Sequence, residues 1–121
     1  VSNARIRSYP DGMDTQVFSL KTLKESYSMT NSKLDYEHVT LHIRNNPNLF
    51  NHFDMVASED LYWPELGLTL DEQNDYLLIK NIIEYFGSSN SNFSCAEILK
   101  YLRENPELIE INKTVKRKGN N

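Results

Sequence analysis

Cysteine and glycine are scarce in this chain of 121 residues. It has one cysteine, Cys95, which excludes an intramolecular disulfide and any metal cluster built from several thiolates. Its four glycines lie far apart, at positions 12, 67, 87 and 119. The sequence therefore contains neither a P-loop nor the glycine fingerprint of dinucleotide-binding folds. If the chain handles a nucleotide, the loop that holds the phosphates must come from elsewhere.

Long apolar runs and an excess of positive charge are also missing. The longest apolar run is only a few residues, Tyr76 to Ile79, so no membrane span is predicted. Thirteen lysine and arginine residues against seventeen aspartate and glutamate residues give a net charge of −4, and no basic region is present to neutralise nucleic-acid phosphates. The 39% apolar content is enough to bury a core. We therefore expect no nucleic-acid partner, no membrane partner, and a reducing, cytoplasmic setting.

Apolar spacing and capping residues predict about four helices. Ser19 caps the first and Asp35 caps the second, which a proline-containing turn ends. The third has a broad apolar stripe and is followed by Gly87, placed just after the last helical residue. Ser94 and Glu97 form a capping box before the fourth. The predicted helices cover residues 20–27, 35–44, 71–86 and 95–105.

Three short stretches have the β-prone composition or alternation typical of strands. They cover residues 15–18, 50–57 and 67–70. So few short strands make a marginal sheet unless further sequence completes it. The chain is predicted to be an α/β or α+β domain with a polar loop at residues 88–92. A frayed basic tail is expected at residues 113–121, with Lys113, Lys116, Arg117 and Lys118.

Asp71 stands where the predicted strand at 68–70 passes into a helix. In open α/β sheets, ligands gather at the carboxyl ends of strands. A carboxylate at that place is a hard oxygen donor of the kind that Mg²⁺ binds. The alternative is that Asp71 caps the helix, which is a frequent role of aspartate and the one that pattern alone favours.

A polar turn precedes the first strand and contains Gly12 and Asp14. Gly12 permits a positive φ or a close backbone approach, and Asp14 offers oxygens to the hydroxyl groups of a ligand. The alternative is a plain surface turn.

His38 and His42 lie four residues apart on one predicted helix, so their rings can face the same side. The zinc-protease pattern needs a glutamate directly after the first histidine, whereas Glu37 precedes it here. A structural or phosphate-contacting role is favoured over zinc binding. Cys95, on the apolar face of its helix, is expected to be a small buried hydrophobic residue.

Four segments occur in the order known from one protein family. The first is Tyr9-Pro10-Asp11-Gly12-Met13-Asp14-Thr15-Gln16-Val17-Phe18-Ser19, and the others are Glu37-His38-Val39-Thr40 with Asn46-Pro47, Leu68-Thr69-Leu70-Asp71 with Asp75-Tyr76, and Asn105-Pro106-Glu107-Leu108 with Ile111-Asn112. They resemble Y/F-P-x-G-L-D-V-E-V-F-S, R-E-H-V-T, L-T-V-D-T-P-E-D-L and the closing helix of the SpsF family of spore-coat polysaccharide biosynthesis nucleotidyltransferases. These are relatives of the CMP-sugar synthetases, the acylneuraminate cytidylyltransferases among them. The resemblance covers essentially the whole chain.

The resemblance implies a longer enzyme, of which this chain matches only the C-terminal half. Residues 1–112 would be the C-terminal part of a three-layer αβα Rossmann-like (GT-A-like) nucleotidyltransferase fold. The implied reaction is attack by a sugar acid on the α-phosphate of a nucleoside triphosphate, usually CTP, with release of pyrophosphate. It would make a nucleotide sugar for surface polysaccharide, in a homodimer. Asp71 aligns with the family's metal-binding aspartate and would bind Mg²⁺, and the implied substrate-binding residues are Gly12, Asp14, Gln16, Glu37 and His38.

Several positions depart from the family pattern, among them Glu72-Gln73-Asn74 in place of the T-P-E that follows the aspartate. Gln16 replaces a glutamate, and Tyr36 and Gly67 replace arginines. The loss of two guanidinium groups is expected to weaken the binding of anionic phosphate or carboxylate. Either the substrate has changed, or the chain is a catalytically degenerate sugar-recognition or assembly domain of the same fold. A third alternative is an unrelated helical interaction domain whose four-segment match arises by chance.

Overall fold

The computed structural model describes residues 1–87 and 91–116. These residues form two compact units. Unit 1 consists of Val1–Arg7 and Thr15–Val56, and unit 2 consists of Ser8–Asp14 and the described residues from Ala57 onward. The helices are α1 (Leu20–Met29), α2 (Lys33–Glu37), α3 (Leu41–Asn45), α4 (Gln73–Gly87), α5 (Cys95–Glu104) and a 3₁₀ helix (Pro106–Ile111).

Among the described residues, β structure is limited to isolated bridges. Ser2 pairs with Gln16 and with Asp54, and Asp11 pairs with Gly67. Each of the strands predicted at 15–18, 50–57 and 67–70 is present only as one bridging residue. A strand needs a hydrogen-bonded partner along its length, and each of these segments has a partner at a single position. The described chain is therefore mostly helical.

The first helix of unit 1 begins where the sequence predicts. The Ser19 hydroxyl accepts a hydrogen bond from the Thr22 amide at 3.1 Å, which satisfies one of the free amides of the first turn. The helix that follows differs from the prediction. The structure has two five-residue helices, α2 and α3, in place of the one helix expected over 35–44. Asp35, which was expected to cap that helix, lies inside α2, and its carboxylate accepts a hydrogen bond from the Thr30 hydroxyl at 2.6 Å. Between them Val39 has φ 42°, a left-handed conformation that ends the helical path.

The core of unit 2 lies between α4 and α5. Its six buried residues are Leu66, Leu78, Ile82, Ile98, Leu99 and Leu102. On α5 they follow the helical spacing that the sequence predicts, and the capping box at Ser94 and Glu97 is confirmed. Helix α4 begins at Gln73, two residues later than predicted, and Gly87 is its last helical residue rather than the residue after it.

Cys95 begins α5 and packs against this core, but it is half-buried rather than buried. Burial raises the pKa of the Cys95 thiol, and the nearby charge of Asp60 raises it further. Because the thiolate is the reactive form, a raised pKa leaves less of it at pH 8. We expect iodoacetamide to alkylate Cys95 severalfold more slowly in the folded protein than in the same protein unfolded in urea. Equal rates in a mass-spectrometric time course would contradict this prediction.

No helix within residues 1–87 and 91–116 is long and apolar enough to cross a bilayer. In the predicted basic tail, Lys113 pairs with Glu110, with 2.8 Å between Nζ and Oε1, and residues 117–121 with Arg117 and Lys118 lie outside the described part. Most of the predicted loop at 88–92 also lies outside it.

Candidate functional site

The turn at Gly12 lies against the segment that leads to Asp71. The Asp11 amide donates to the Leu66 carbonyl at 2.9 Å, and the Leu68 amide donates to the Asp11 carbonyl at 2.8 Å. Gly12 has φ 99°, and a Cβ atom there would lie 2.6 Å from the Leu68 carbonyl oxygen. Only glycine fits this conformation and this gap. The close backbone approach predicted for Gly12 is therefore present.

Asp71 lies two residues before α4, and its side chain is exposed. The carboxylate that serves the start of α4 belongs to Asp75, which accepts from the Asp71 amide at 3.3 Å and from the Glu72 amide at 3.1 Å. Within residues 1–87 and 91–116, the Asp71 carboxylate has no hydrogen bond or ion pair. Asp75, and not Asp71, therefore accepts hydrogen bonds from the amides at the start of α4. The carboxylate oxygens of Asp71 are available to a ligand.

Asp75 is part of a buried polar pair with Asn112. Their side chains are 0% and 3% exposed. The Asn112 amide nitrogen donates to Asp75 Oδ1 at 2.8 Å and to the Gly67 carbonyl at 2.9 Å. This pair is not predicted from the sequence. Asp75 is the third residue of α4, a position from which a carboxylate reaches back to the first amides of a helix. This position in the helix is the sequence feature that could have indicated the role of Asp75.

The chemistry of Asp71 is compatible with Mg²⁺. No group of three or more histidine, cysteine, aspartate or glutamate side chains in the described part of the chain is placed to hold a metal ion. In nucleotide enzymes, Mg²⁺ is often bound by only one or two carboxylates, with water and substrate phosphates completing the octahedron. Asp71 fits such an arrangement as a single hard oxygen ligand.

Unit 1 contains a cavity of about 310 Å³ that Gln16 lines, together with Arg5, Arg44 and Asn51. Arg5 is paired with Asp54, with 3.0 Å between Nε and Oδ1. Arg44 is exposed, and its side chain has no hydrogen bond or ion pair with the described residues. Besides the Arg44 guanidinium group and the amide groups, the lining includes the Glu25 carboxylate and apolar side chains such as Val17 and Phe50, so it is mixed in charge and polarity. Sequence reasoning missed both arginines because neither belongs to a recognisable motif.

Of the remaining predicted residues, Glu37, His38 and Asp14 are exposed and His42 is half-buried. Glu37 is the last residue of α2, His38 follows it as the cap, and neither side chain has a hydrogen-bond partner in residues 1–87 and 91–116. His42 lies in a different helix, α3, where Nδ1 is 3.1 Å from the Ser26 hydroxyl. The two histidines therefore do not lie on one helix, contrary to the prediction, and the structural or phosphate-contacting role predicted for the pair stays a prediction. Asp14 is exposed and likewise has no partner among the described residues.

The structure places the predicted site residues in two groups. Gly12, Asp14 and Asp71 belong to unit 2, where the Gly12 turn contacts the backbone that leads to Asp71. Gln16, Glu37 and His38 belong to unit 1.

Comparison of the fold with solved structures identifies its class. A cytidylyltransferase from Leptospira borgpetersenii serovar Hardjo-bovis matches with a TM-score of 0.84 at 26% sequence identity, over 96% of this chain and 47% of that one. The chain therefore has a nucleotidyltransferase-like fold.

Sequence comparisons point in the same direction. The uncharacterized protein MJ1063 of Methanocaldococcus jannaschii is 31% identical over 108 residues, which is 89% of this chain and 44% of that protein. The spore coat polysaccharide biosynthesis protein SpsF of Bacillus subtilis is 37% identical over 71 residues, 59% of this chain and 29% of that protein. No protein-family model matches the sequence. The chain is a relative of the SpsF-like cytidylyltransferases, which confirms the resemblance seen in the sequence, and it spans less than half the length of each protein it matches.

Proposed function

We propose that this chain is the C-terminal part of a cytidylyltransferase that makes a CMP-sugar for surface polysaccharide from CTP and a sugar acid. The relationship to SpsF and to a solved cytidylyltransferase supports the reaction class. The observation that carries the proposal is the Asp71 carboxylate, which is exposed, unpaired among the described residues, and attached to a backbone segment packed against the Gly12 turn.

In the proposed reaction, a hydroxyl oxygen of the sugar attacks the α-phosphorus of CTP. The new oxygen–phosphorus bond forms as the bond from the α-phosphorus to the bridging oxygen of the β-phosphate breaks, so pyrophosphate leaves and the hydroxyl proton passes to solvent or a base. Mg²⁺ would neutralise the charge that builds on the phosphates. In this chain Asp71 would hold the ion. The sugar-binding roles of Gly12, Asp14, Gln16, Glu37 and His38 stay predictions.

The remaining parts of the proposed enzyme would lie outside this chain. The nucleotide-binding loop that this chain lacks would belong to the missing N-terminal half, which would also complete the three-layer αβα sheet. A homodimer is expected from the family relationship. The single-domain boundary at residues 1–112 and the cytoplasmic location also remain predictions.

Removal of the Asp71 charge tests the proposal. In the intact protein, Asp71→Asn is expected to weaken Mg²⁺-dependent binding of CTP by about tenfold or more, since even outer-shell changes at metal sites have effects of that size. Isothermal titration of CTP with and without Mg²⁺ measures the difference. The matched control is Glu104→Gln, which removes the same charge at the last residue of α5 and should leave binding unchanged. Undiminished metal-dependent binding in Asp71→Asn would reject the proposal.

A second candidate is a sugar-recognition or assembly domain that has lost catalysis. Tyr36, which stands where the family has an arginine, has a structural role here: its hydroxyl donates to the Thr30 carbonyl at 2.6 Å, and its ring lies 5.2 Å from that of Tyr27. Gly67, at the other arginine position, is buried and bridges to Asp11. Calorimetry that detects a sugar acid but no metal-dependent binding of CTP by the intact protein would favour this candidate.

A further inference from the structure

Two buried polar side chains hold both ends of the backbone segment that carries Asp71. We call residues 67–71 the metal-ligand segment. At its start, the Gly67 carbonyl accepts from Asn112 at 2.9 Å, and at its end the Asp71 amide donates to Asp75 Oδ2 at 3.3 Å. The two side chains are joined directly by the 2.8 Å bond from Asn112 to Asp75 Oδ1. Between the ends, the Leu68 amide donates to the Asp11 carbonyl. Hydrogen bonds thus hold the backbone of the segment at Gly67 and Leu68 near its start and at Asp71 at its end.

A buried carboxylate is a poor means of stabilising a fold. Its removal from water is unfavourable, and well-packed apolar residues of similar volume are often as stable as a buried polar or charged pair. Asp75 is fully buried, yet it is surrounded by donors: the amides of Asp71 and Glu72 on one oxygen and Asn112 on the other. An apolar residue would fill the space but would accept none of these hydrogen bonds. What the carboxylate adds is a defined position for the backbone at Asp71 and Glu72.

We infer that Asp75, oriented by Asn112, is the positioning residue for Asp71 as a ligand of the nucleotide-bound divalent cation. This inference rests on the proposed function, in which Asp71 binds the ion. The partners that orient a ligand strongly affect metal affinity, because a ligand already held in place loses less freedom when the ion binds. Asp75 acts through the backbone of Asp71 and does not itself touch the ion.

The experiment measures the affinity of the intact protein for the Mn²⁺–CTP complex, with Mn²⁺ in place of Mg²⁺. Water-proton relaxation reports this complex directly, because the relaxation rate rises when the protein immobilises the ion. Asp75→Asn, which keeps the shape but turns one acceptor into a donor, is expected to weaken the affinity by about tenfold or more. Hydrogen exchange at the Asp71 and Glu72 amides should accelerate in the same variant.

The control separates positioning from general stability. Leu102→Ala removes a fully buried side chain of the same unit and destabilises the core, yet it leaves the hydrogen bonds of Asp75 in place. At a temperature where all variants are folded, it should bind Mn²⁺–CTP within twofold of the unmodified protein. Full affinity in Asp75→Asn, or an equal loss in Leu102→Ala, would overturn the inference.

Two further variants complete the design. If Asp75→Asn does not fold, Asn112→Ala supplies the test, because it keeps the carboxylate but removes the donor that orients it; a severalfold loss of affinity supports the inference and an unchanged affinity overturns it. Asp71→Asn distinguishes a failure of the proposed function from a failure of the positioning role alone. If it binds Mn²⁺–CTP normally, the proposed function fails; if it loses binding while Asp75→Asn does not, only the positioning role fails.

Discussion

Replacing Asp75 with alanine is expected to lower the free energy of unfolding by about 3 kcal/mol, because the buried Asn112 loses a partner at a cost of about 1–3 kcal/mol and two partly buried amides each lose a hydrogen bond worth about 0.5–1.5 kcal/mol. The amides of Asp71 and Glu72 lose their acceptor, and Asn112 keeps only its bond to the Gly67 carbonyl. A cavity is left where the fully buried Asp75 side chain was, which adds to the loss. The unfolding midpoint in urea measures the effect.

The control for this prediction is the neighbouring aspartate. Asp71→Ala removes a carboxylate that is exposed and unpaired among the described residues, and exposed substitutions usually change stability by no more than about 0.5 kcal/mol. The two aspartates are therefore expected to separate stability from metal binding: Asp75→Ala affects both, whereas Asp71→Ala affects metal binding alone. Equal destabilisation by the two changes would show that the buried network does not act as described.

The features that the sequence predicts well are those that nearby residues determine. Ser19 caps α1 and Ser94 with Glu97 caps α5, because donor and acceptor lie three residues apart and need no tertiary contact. The apolar stripe of α5 likewise specifies which of its residues are buried. The relationship to the cytidylyltransferases was also visible, since it depends on short segments in a fixed order.

The features that the sequence does not predict depend on partners far away in the chain. Asp75 and Asn112 are 37 residues apart, and no periodicity links them. The predicted strands need a neighbour along their length, and the described part of the chain supplies one at single positions only. The split of the predicted 35–44 helix depends on one backbone angle at Val39, whose side chain fits the apolar spacing of a continuous helix. Arg44 becomes noticeable only when the cavity that it lines is known.

Gly12→Ala is expected to lower the free energy of unfolding by about 2–4 kcal/mol, from the strain of a non-glycine residue at a strongly positive φ together with a steric clash. The new Cβ would lie 2.6 Å from the Leu68 carbonyl oxygen and 2.8 Å from its carbonyl carbon. Both atoms belong to the backbone, so no side chain can rotate away to make room. The strain must therefore be relieved by moving the Gly12 turn away from the metal-ligand segment, which should also weaken Mn²⁺–CTP binding.

Gly87→Ala is the matched control for this change. Gly87 is the last residue of α4, and a Cβ there would meet only the Ile83 side chain, at an ordinary distance of 3.9 Å. Because alanine favours the helix and restricts the unfolded chain, this substitution should be neutral or should stabilise the protein by up to about 1 kcal/mol. Urea unfolding of both variants measures the contrast. If Gly12→Ala unfolds at the same urea concentration as Gly87→Ala, the close contact between the Gly12 turn and Leu68 cannot be what holds the metal-ligand segment in place.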